Sequence, residues 1–207
     1  MRRGMKNSSA KKTNKSGQNH SGKGQVRIIA GQWRGRKLPI PEIEGLRPTP
    51  DRIRETLFNW LSSVIVDADC LDLYCGSGAL GFEAASRGAN RVSMVDLDSL
   101  VISQLNSNQK ILEADSIDVH QADVLKFLNG TSTGNDIVMI DPPFKQGLVE
   151  PTIAKLEANG WLKFNSYIYI ETEANLVELT TPKTWVLHRE KKAGEVLSRL
   201  YIRNPKD

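Results

Sequence analysis

Only two cysteines and three histidines occur in the 207 residues, which leaves little room for metal or disulfide chemistry. Cys70 and Cys75 flank one expected strand end, and no second Cys or His pair stands near enough for a zinc site. They are expected to be reduced core or loop thiols of a cytoplasmic protein. His20, His120 and His188 are scattered, with no Ser or Cys at a spacing that would make a nucleophile–base pair. No run approaches the roughly 18 consecutive apolar residues of a membrane span. The N-terminus is basic but lacks the apolar segment of a secretory signal and the amphipathic face of a transit peptide. Neither a metal nor a membrane is expected as a partner, and the chain is expected to be monomeric.

Acid is missing from one end. Residues 1–25 contain seven Lys and Arg and no Asp or Glu. With almost no apolar side chain to bury, they are expected to be a disordered basic tail. That tail is either a solubilising leader or a tether held on a polyanion by counterion release. Residues 1–60 carry 14 basic against 4 acidic residues, while residues 61–207 carry 14 against 20. A basic arm on a mildly acidic body points to a polyanionic partner met by the N-terminal third.

What is present is a clear alternation of elements. Val26, Ile28 and Ala30 alternate with Arg27, Ile29 and Gly31, then lead through Gln32 and Trp33 to Arg34-Gly35-Arg36-Lys37-Leu38-Pro39. This predicts a hairpin extension over residues 26–46 with a basic rim. Thr49-Pro50-Asp51 reads as an N-cap, a first-position proline and a first-turn acid. Ile53, Leu57, Trp60, Leu61 and Val64 then follow at helical spacing. From residue 47 to 207 a single domain is expected. Strands are predicted at 70–74, 91–95, 117–120, 137–140 and 167–171, and helices at 78–87, 99–112, 124–128 and 149–158. Short apolar strands separated by helices imply an α/β doubly wound, mostly parallel sheet covered on both faces. Residues 185–189 and 196–203, joined by Lys191 to Gly194, predict an antiparallel hairpin at its edge.

Four motifs carry chemistry. Leu71-Asp72-Leu73-Tyr74-Cys75-Gly76-Ser77-Gly78-Ala79-Leu80-Gly81 places a G-x-G-x-x-G between a strand and a helix, where the backbone can approach a ligand closely. No G-K-[ST] follows, which argues against a P-loop. Asp72, inside the strand end, suits a cationic or amine-bearing ligand. In Val95-Asp96-Leu97-Asp98, Asp96 is placed to accept from both ribose hydroxyls, a device common to dinucleotide and S-adenosylmethionine enzymes. Asp98 is expected to cap the following helix. In Gln121-Ala122-Asp123-Val124, Asp123 reads either as a helix cap or as an acceptor for an adenine amino group. Val124 would then offer an amide or a packing surface. Tyr74 and Leu97 complete the candidate cofactor-binding set. The fourth motif, Asp141-Pro142-Pro143-Phe144, follows the apolar run 137–140. An exocyclic amine is a poor nucleophile because its lone pair is delocalised into the ring. Asp141 and the Pro142 carbonyl can accept its two N–H bonds and turn the lone pair toward a methyl donor. The two prolines fix the carbonyl direction, and Phe144 can stack on a base turned out of its helix.

The order of these motifs resembles class I S-adenosylmethionine-dependent amino-methyltransferases, with a Rossmann-like sheet of seven strands. The stretches Arg27 to Pro39 and Leu46 to Leu61, and the run from Leu187 to Tyr201, closely resemble the bacterial 16S rRNA guanine-N2 methyltransferases of the RsmD type. The resemblance covers residues 26–203 and leaves out the basic tail. It implies methyl transfer from S-adenosyl-L-methionine to the exocyclic N2 of one guanine in 16S rRNA, on an assembled or assembling small subunit. Asp72, Gly76 and Gly78 would line the methionine part of the cofactor, Asp96 the ribose and Asp123 the adenine. Asp141 to Phe144 would hold the target base, with Thr49 or a nearby arginine facing the methionine carboxylate. Many relatives carry Glu where Asp96 stands. Arg34, Arg36 and Lys37 in the hairpin, and Arg47, Arg52 and Arg54 around the first helix, are the candidate RNA contacts, and Trp33 is a candidate for stacking on RNA.

Competing readings are an adenine-N6 methyltransferase on RNA or DNA, a non-catalytic RNA-binding assembly factor with this fold, and a dinucleotide oxidoreductase. No separate DNA-recognition domain is visible for the first. The second does not need an intact Asp141, and the third does not explain Asp-Pro-Pro-Phe.

Overall fold

The computed structural model describes residues 1, 24–43 and 49–204. The expectation of a disordered tail therefore lies almost entirely outside the described residues, as does the reading of Arg47. In chain order the elements are β1 (Gln25–Arg27), β2 (Lys37–Pro39), α1 (Asp51–Trp60), β3 (Asp69–Leu73), α2 (Ala79–Ser86), β4 (Arg91–Asp96), α3 (Ser99–Leu112), β5 (Ile117–Gln121), α4 (Val124–Phe127), β6 (Asn135–Ile140), α5 (Val149–Ala158), β7 (Leu162–Glu173), β8 (Trp185–Ala193) and β9 (Val196–Arg203).

Seven strands form one sheet in the order β5-β4-β3-β6-β7-β9-β8. The pairs from β5 through β7 are parallel, and β9 and β8 add an antiparallel hairpin. The chain builds outward from β3 on both sides, so β3 and β6 flank the point where strand order reverses. In open α/β sheets that point opens a crevice beyond the carboxyl ends of the strands, where ligands bind.

Side-chain alternation divides the core into two layers. Cys70, Met94, Ile137, Met139 and Tyr169 face the layer that holds α1, α2 and α3. Leu71, Leu73, Val138, Ile140, Ile168 and Ile170 face the layer that holds Val124 of α4 and α5. Apolar strands with no polar face are what a sheet covered on both sides requires.

The N-terminal hairpin forms as predicted, with Val26 opposite Leu38. It is not a detached extension, because the chain between its strands is stitched onto α2. Every residue of α2 is buried, which fits its nearly uniform Ala-Leu-Gly-Phe-Glu-Ala-Ala-Ser sequence. The polar exceptions serve the hairpin. Glu83 accepts from the backbone N–H of Ile29 (2.8 Å) and Ala30 (3.0 Å). Ser86 Oγ accepts from Trp33 N and donates to Ala30 O, while the Ser86 carbonyl accepts from Gln32 N. A Cβ at Gly31 would lie 1.8 Å from that carbonyl oxygen, so only glycine, at φ 82°, permits the approach.

Three boundaries differ from expectation. Helix α1 begins at Asp51, with Pro50 at the cap position and no side-chain cap, so Thr49 is not the N-cap. Strand β7 starts at Leu162, five residues earlier than predicted. Asn135 pairs with Leu162 but Ile137 pairs with Tyr167, and the excess residues bulge around Asn165 at φ 59°. A charged, polar Lys163-Phe164-Asn165-Ser166 bulge hides its strand character from any alternation pattern. Strand β8 continues through Ala193, and the turn is at Gly194 and Glu195.

Candidate active site

Five strand ends deliver the motifs to one edge. After β3, Tyr74 (φ 61°), Gly76 (φ 47°) and Gly78 (φ 74°) each take a left-handed conformation within five residues. Gly78 precedes the first turn of α2, and the loop amides are held within the chain, Cys75 N donating to Val95 O at 3.1 Å and Gly78 N to Cys75 O at 2.7 Å. A Cβ at Gly78 would come within 2.5 Å of Leu105 Cδ2 and 2.7 Å of Phe82 Cε2, so no side chain fits that turn.

Two acids brace this loop. Asp72 Oδ2 accepts from Gly81 N at 2.8 Å and ties the strand to the first turn of α2. Asp96 Oδ2 accepts from Gly76 N at 2.9 Å, and its Oδ1 from Asp98 N at 3.0 Å. Asp96 thus joins the first and second strand ends and keeps part of its surface open, as a ribose acceptor needs. Asp72 is 1% exposed, so its expected direct contact with a ligand is corrected: it supports the loop from beneath. Burial pushes its carboxyl up to about 8, with the Gly81 N–H opposing and Asp141 and Asp96 adding to the rise.

That rise has a testable sign. The folded protein keeps a proton on Asp72 that the unfolded chain releases near 3.8. Between about pH 4 and 8 the folded state binds more protons, so stability falls as pH rises through that window. Asp72→Asn retains an acceptor for Gly81 and cannot titrate. Thermal melting at pH 5 and pH 8 should show a smaller stability loss for the variant than for the parent. An identical loss in both would remove Asp72 as the source.

Asp123 caps α4, its Oδ1 accepting from Lys126 N at 2.9 Å, which leaves Oδ2 without a bond among the described residues. Cap and ligand acceptor are compatible roles for its two oxygens. Val124 is buried in the core, so its side chain is not available as a packing surface for a ligand. Leu97, 65% exposed, stands at the rim beyond Asp96. The Tyr74 hydroxyl pairs with Thr152 Oγ1 of α5 at 2.7 Å. Asp98 caps α3 as expected.

The Asp141 turn leaves β6 beside this loop. Asp141 is half-buried, and burial pushes its carboxyl up to about 6, with the Thr49 hydroxyl opposing. Thr49 Oγ1 donates to Asp141 Oδ2 at 3.4 Å. The segment before α1 therefore reaches the Asp141 side of the site. Pro142 is buried while Pro143 and Phe144 are exposed, and all three line a cavity of about 300 Å³. The backbone N–H of Lys145 donates to Glu173, which anchors the loop beyond Phe144. Glu171, at the end of β7, also lines this cavity and was missed in the sequence. Its signal was there: an acid directly after the apolar run Ile168-Tyr169-Ile170.

The candidate RNA contacts separate. Arg34, Arg36, Lys37 and Arg52 are exposed, with Arg36 Nη2 donating to Ile111 O at 3.0 Å. Trp33 is half-buried against the core. Arg54 is 1% exposed and is corrected to a structural residue. Its guanidinium lies 2.6 Å from Asp51 Oδ1 and 3.7 Å from Glu83 Oε2, and it donates to Arg27 O at 2.8 Å. Arg87 completes the arrangement at 2.7 Å from Glu83 Oε1.

Residues 26–202 match the sequence model of the family described as conserved hypothetical protein 95, the RsmD family of methyltransferases. The chain belongs to that family. A small-subunit ribosomal RNA methyltransferase D of Escherichia coli K12 is 54% identical over 185 residues, 89% of this chain and 93% of that one. The solved structure of the putative methyltransferase yhhF from Escherichia coli is 50% identical with a TM-score of 0.83, covering 88% of this chain and all of that one. An RNA methyltransferase from Salinibacter ruber, solved with S-adenosyl-L-homocysteine, shares the fold at a TM-score of 0.61 and 13% identity, over 78% of this chain and 96% of that one. As an RsmD-family protein, the chain carries the Rossmann-like methyltransferase fold that its motifs implied.

Proposed function

We propose that this chain methylates the exocyclic N2 of a guanine in 16S rRNA, using S-adenosyl-L-methionine, on the assembled or assembling small subunit in the cytoplasm. The observation that carries the reading is the Asp141-Pro142 turn, which leaves the sheet at the switch point next to the Asp96-braced glycine loop. The relatives named for small-subunit ribosomal RNA support the substrate class.

The residues fit the cofactor. Asp96 and Asp141 both stand at this edge with no Lys or Arg bonded to either among the described residues. Such an acidic rim favours a cationic sulfonium and disfavours a pyrophosphate. When bound, S-adenosylmethionine supplies an electrophilic methyl group. Asp96 offers its remaining lone pairs to the ribose hydroxyls, and Asp123 Oδ2 accepts from the adenine amine. Asp141 and the Pro142 carbonyl accept the N–H bonds of guanine N2, while Phe144 stacks on the extruded base. The N2 lone pair forms the new N–C bond as the sulfur–methyl bond breaks and its electrons stay on sulfur. The excess proton leaves nitrogen toward Asp141, which must therefore be ionised beforehand.

The test offers labelled S-adenosylmethionine with small subunits, large subunits or DNA, the subunits taken from a strain lacking the enzyme. Label confined to small-subunit RNA is expected. Label in DNA, or none despite cofactor binding, would contradict the proposal. The basic tail is proposed to hold rRNA nonspecifically. Removing residues 2–23 should weaken affinity and reduce the salt slope by about 0.7–0.9 for each phosphate that the tail neutralises. An unchanged slope would dismiss the tether.

A further inference from the structure

The cavity beside Asp141 contains a carboxylate that the chemistry above does not use. Glu171 is 3% exposed, and no cation is bonded to it among the described residues. One oxygen, Oε1, accepts from the Tyr169 hydroxyl at 2.8 Å, and that hydroxyl also lies 3.0 Å from Ser198 Oγ. The other, Oε2, takes no hydrogen bond among the described residues. Burial, then the neighbouring charge of Asp141, pushes the Glu171 carboxyl well above the usual range. A buried acid without a cation is costly, and its bond from the Tyr169 hydroxyl occupies only Oε1.

Register places it. Ile140 of β6 pairs with Ile170 of β7, so Asp141 and Glu171 are the next positions on adjacent parallel strands. Such strands lie about 4.8 Å apart. Ile140 and Ile170 both point into the α5 layer, so the two carboxylates project together from the opposite face. Glu171 lines the same cavity as Pro142 and Phe144. The Tyr169 hydroxyl, itself bonded to Ser198 Oγ, holds Oε1 and leaves Oε2 as the free acceptor among the described residues.

We propose that Glu171 reads the target base: Oε2 accepts the guanine N1–H while Asp141 and the Pro142 carbonyl accept the N2 hydrogens. Guanine presents N1–H and N2–H side by side, two parallel donors that suit two adjacent carboxylates. The guanine N1–H favours the charged carboxylate against the burial that otherwise keeps it protonated, and a cationic methyl donor alongside acts in the same direction. Adenine presents N1 as an acceptor, whose lone pair the ionised Glu171 repels. The glutamate is thus a specificity-determining residue. This rests on the proposed guanine-N2 activity.

The test replaces the methylated guanine, once mapped, by 2-aminopurine in reconstituted small subunits. This base keeps the C2 amine but has no N1–H. The parent protein should prefer guanine by roughly 10- to 100-fold in kcat/KM, the discrimination of a well-made hydrogen-bond pair. Glu171→Gln, whose amide can donate to N1 of 2-aminopurine, should bring the two bases within about threefold. Cofactor Kd and melting temperature serve as controls for folding. Glu171→Asp keeps the charge but withdraws it by one methylene, and should lower kcat/KM while keeping the preference for guanine. An unchanged preference in folded Glu171→Gln would overturn the proposal, as would a parent protein indifferent to the two bases. Absence of N2-methylguanosine from unmodified subunits would instead defeat the activity on which it rests.

Discussion

Replacing Asp141 by alanine is expected to lower the rate of methyl transfer by about 100- to 1,000-fold, the usual cost of removing one preorganised electrostatic partner. Cofactor affinity should change by less than about threefold, because Asp96 and the glycine loop are untouched. Single-turnover rates read the first quantity and calorimetric titration with S-adenosylmethionine the second. The expectation follows from position. Asp141 leaves β6 next to the loop, but its one side-chain bond among the described residues is the long 3.4 Å contact from Thr49. Its remaining acceptor capacity is therefore available to an amine. A protonated carboxyl loses part of that capacity. Since burial raises Asp141 to about 6, transfer should increase with pH up to about that value and then level off. A cationic donor bound alongside moves the midpoint lower. A folded variant that loses rate and cofactor affinity in parallel would contradict the assigned role.

The largest effect on stability should come from Arg54. Arg54→Met leaves Glu83, which has no exposed surface, with Arg87 as its remaining ion-pair partner, and it frees the Arg27 carbonyl. Breaking a buried pair in this way costs about 3–5 kcal/mol. For a chain of this size the melting temperature should fall by roughly 10 °C. The loss is partly offset because Arg54 Nε is itself buried without a partner. Pairing the change with Glu83→Gln should cost less than the sum of the two single changes, since the orphaned charge is removed with its partner. A surface arginine that touches RNA would behave in the opposite way, with an unchanged melting temperature and weaker rRNA binding.

Arg54 also shows what could be read in the sequence and what could not. Arg52 and Glu55 stand close to it in the chain, and helical spacing puts it beside Ile53 and Leu57 rather than on the outer face. Charge alone suggested a polyanion, because the buried partner lies 29 positions later in α2, inside an apolar helix. Local patterns made the parallel sheet, the glycine loop, the Asp98 cap and the Asp141 turn legible, since each is fixed by residues within a few positions. The role of Asp72 was not. Its acceptor bond to Gly81 and its burial depend on how α2 packs on β3, which no spacing reveals. Glu171 was hidden for a similar reason. Its meaning depends on the β6–β7 register, and that register passes through the bulge at Asn165.

The central claim concerns which atom receives the methyl group. It is tested by digesting 16S rRNA, after reaction with labelled S-adenosylmethionine, to nucleosides and identifying the labelled species by mass spectrometry. The expected result is N2-methylguanosine at a single site, lost when Asp141→Ala replaces the parent protein. N6-methyladenosine, or label spread over several nucleosides, would contradict it.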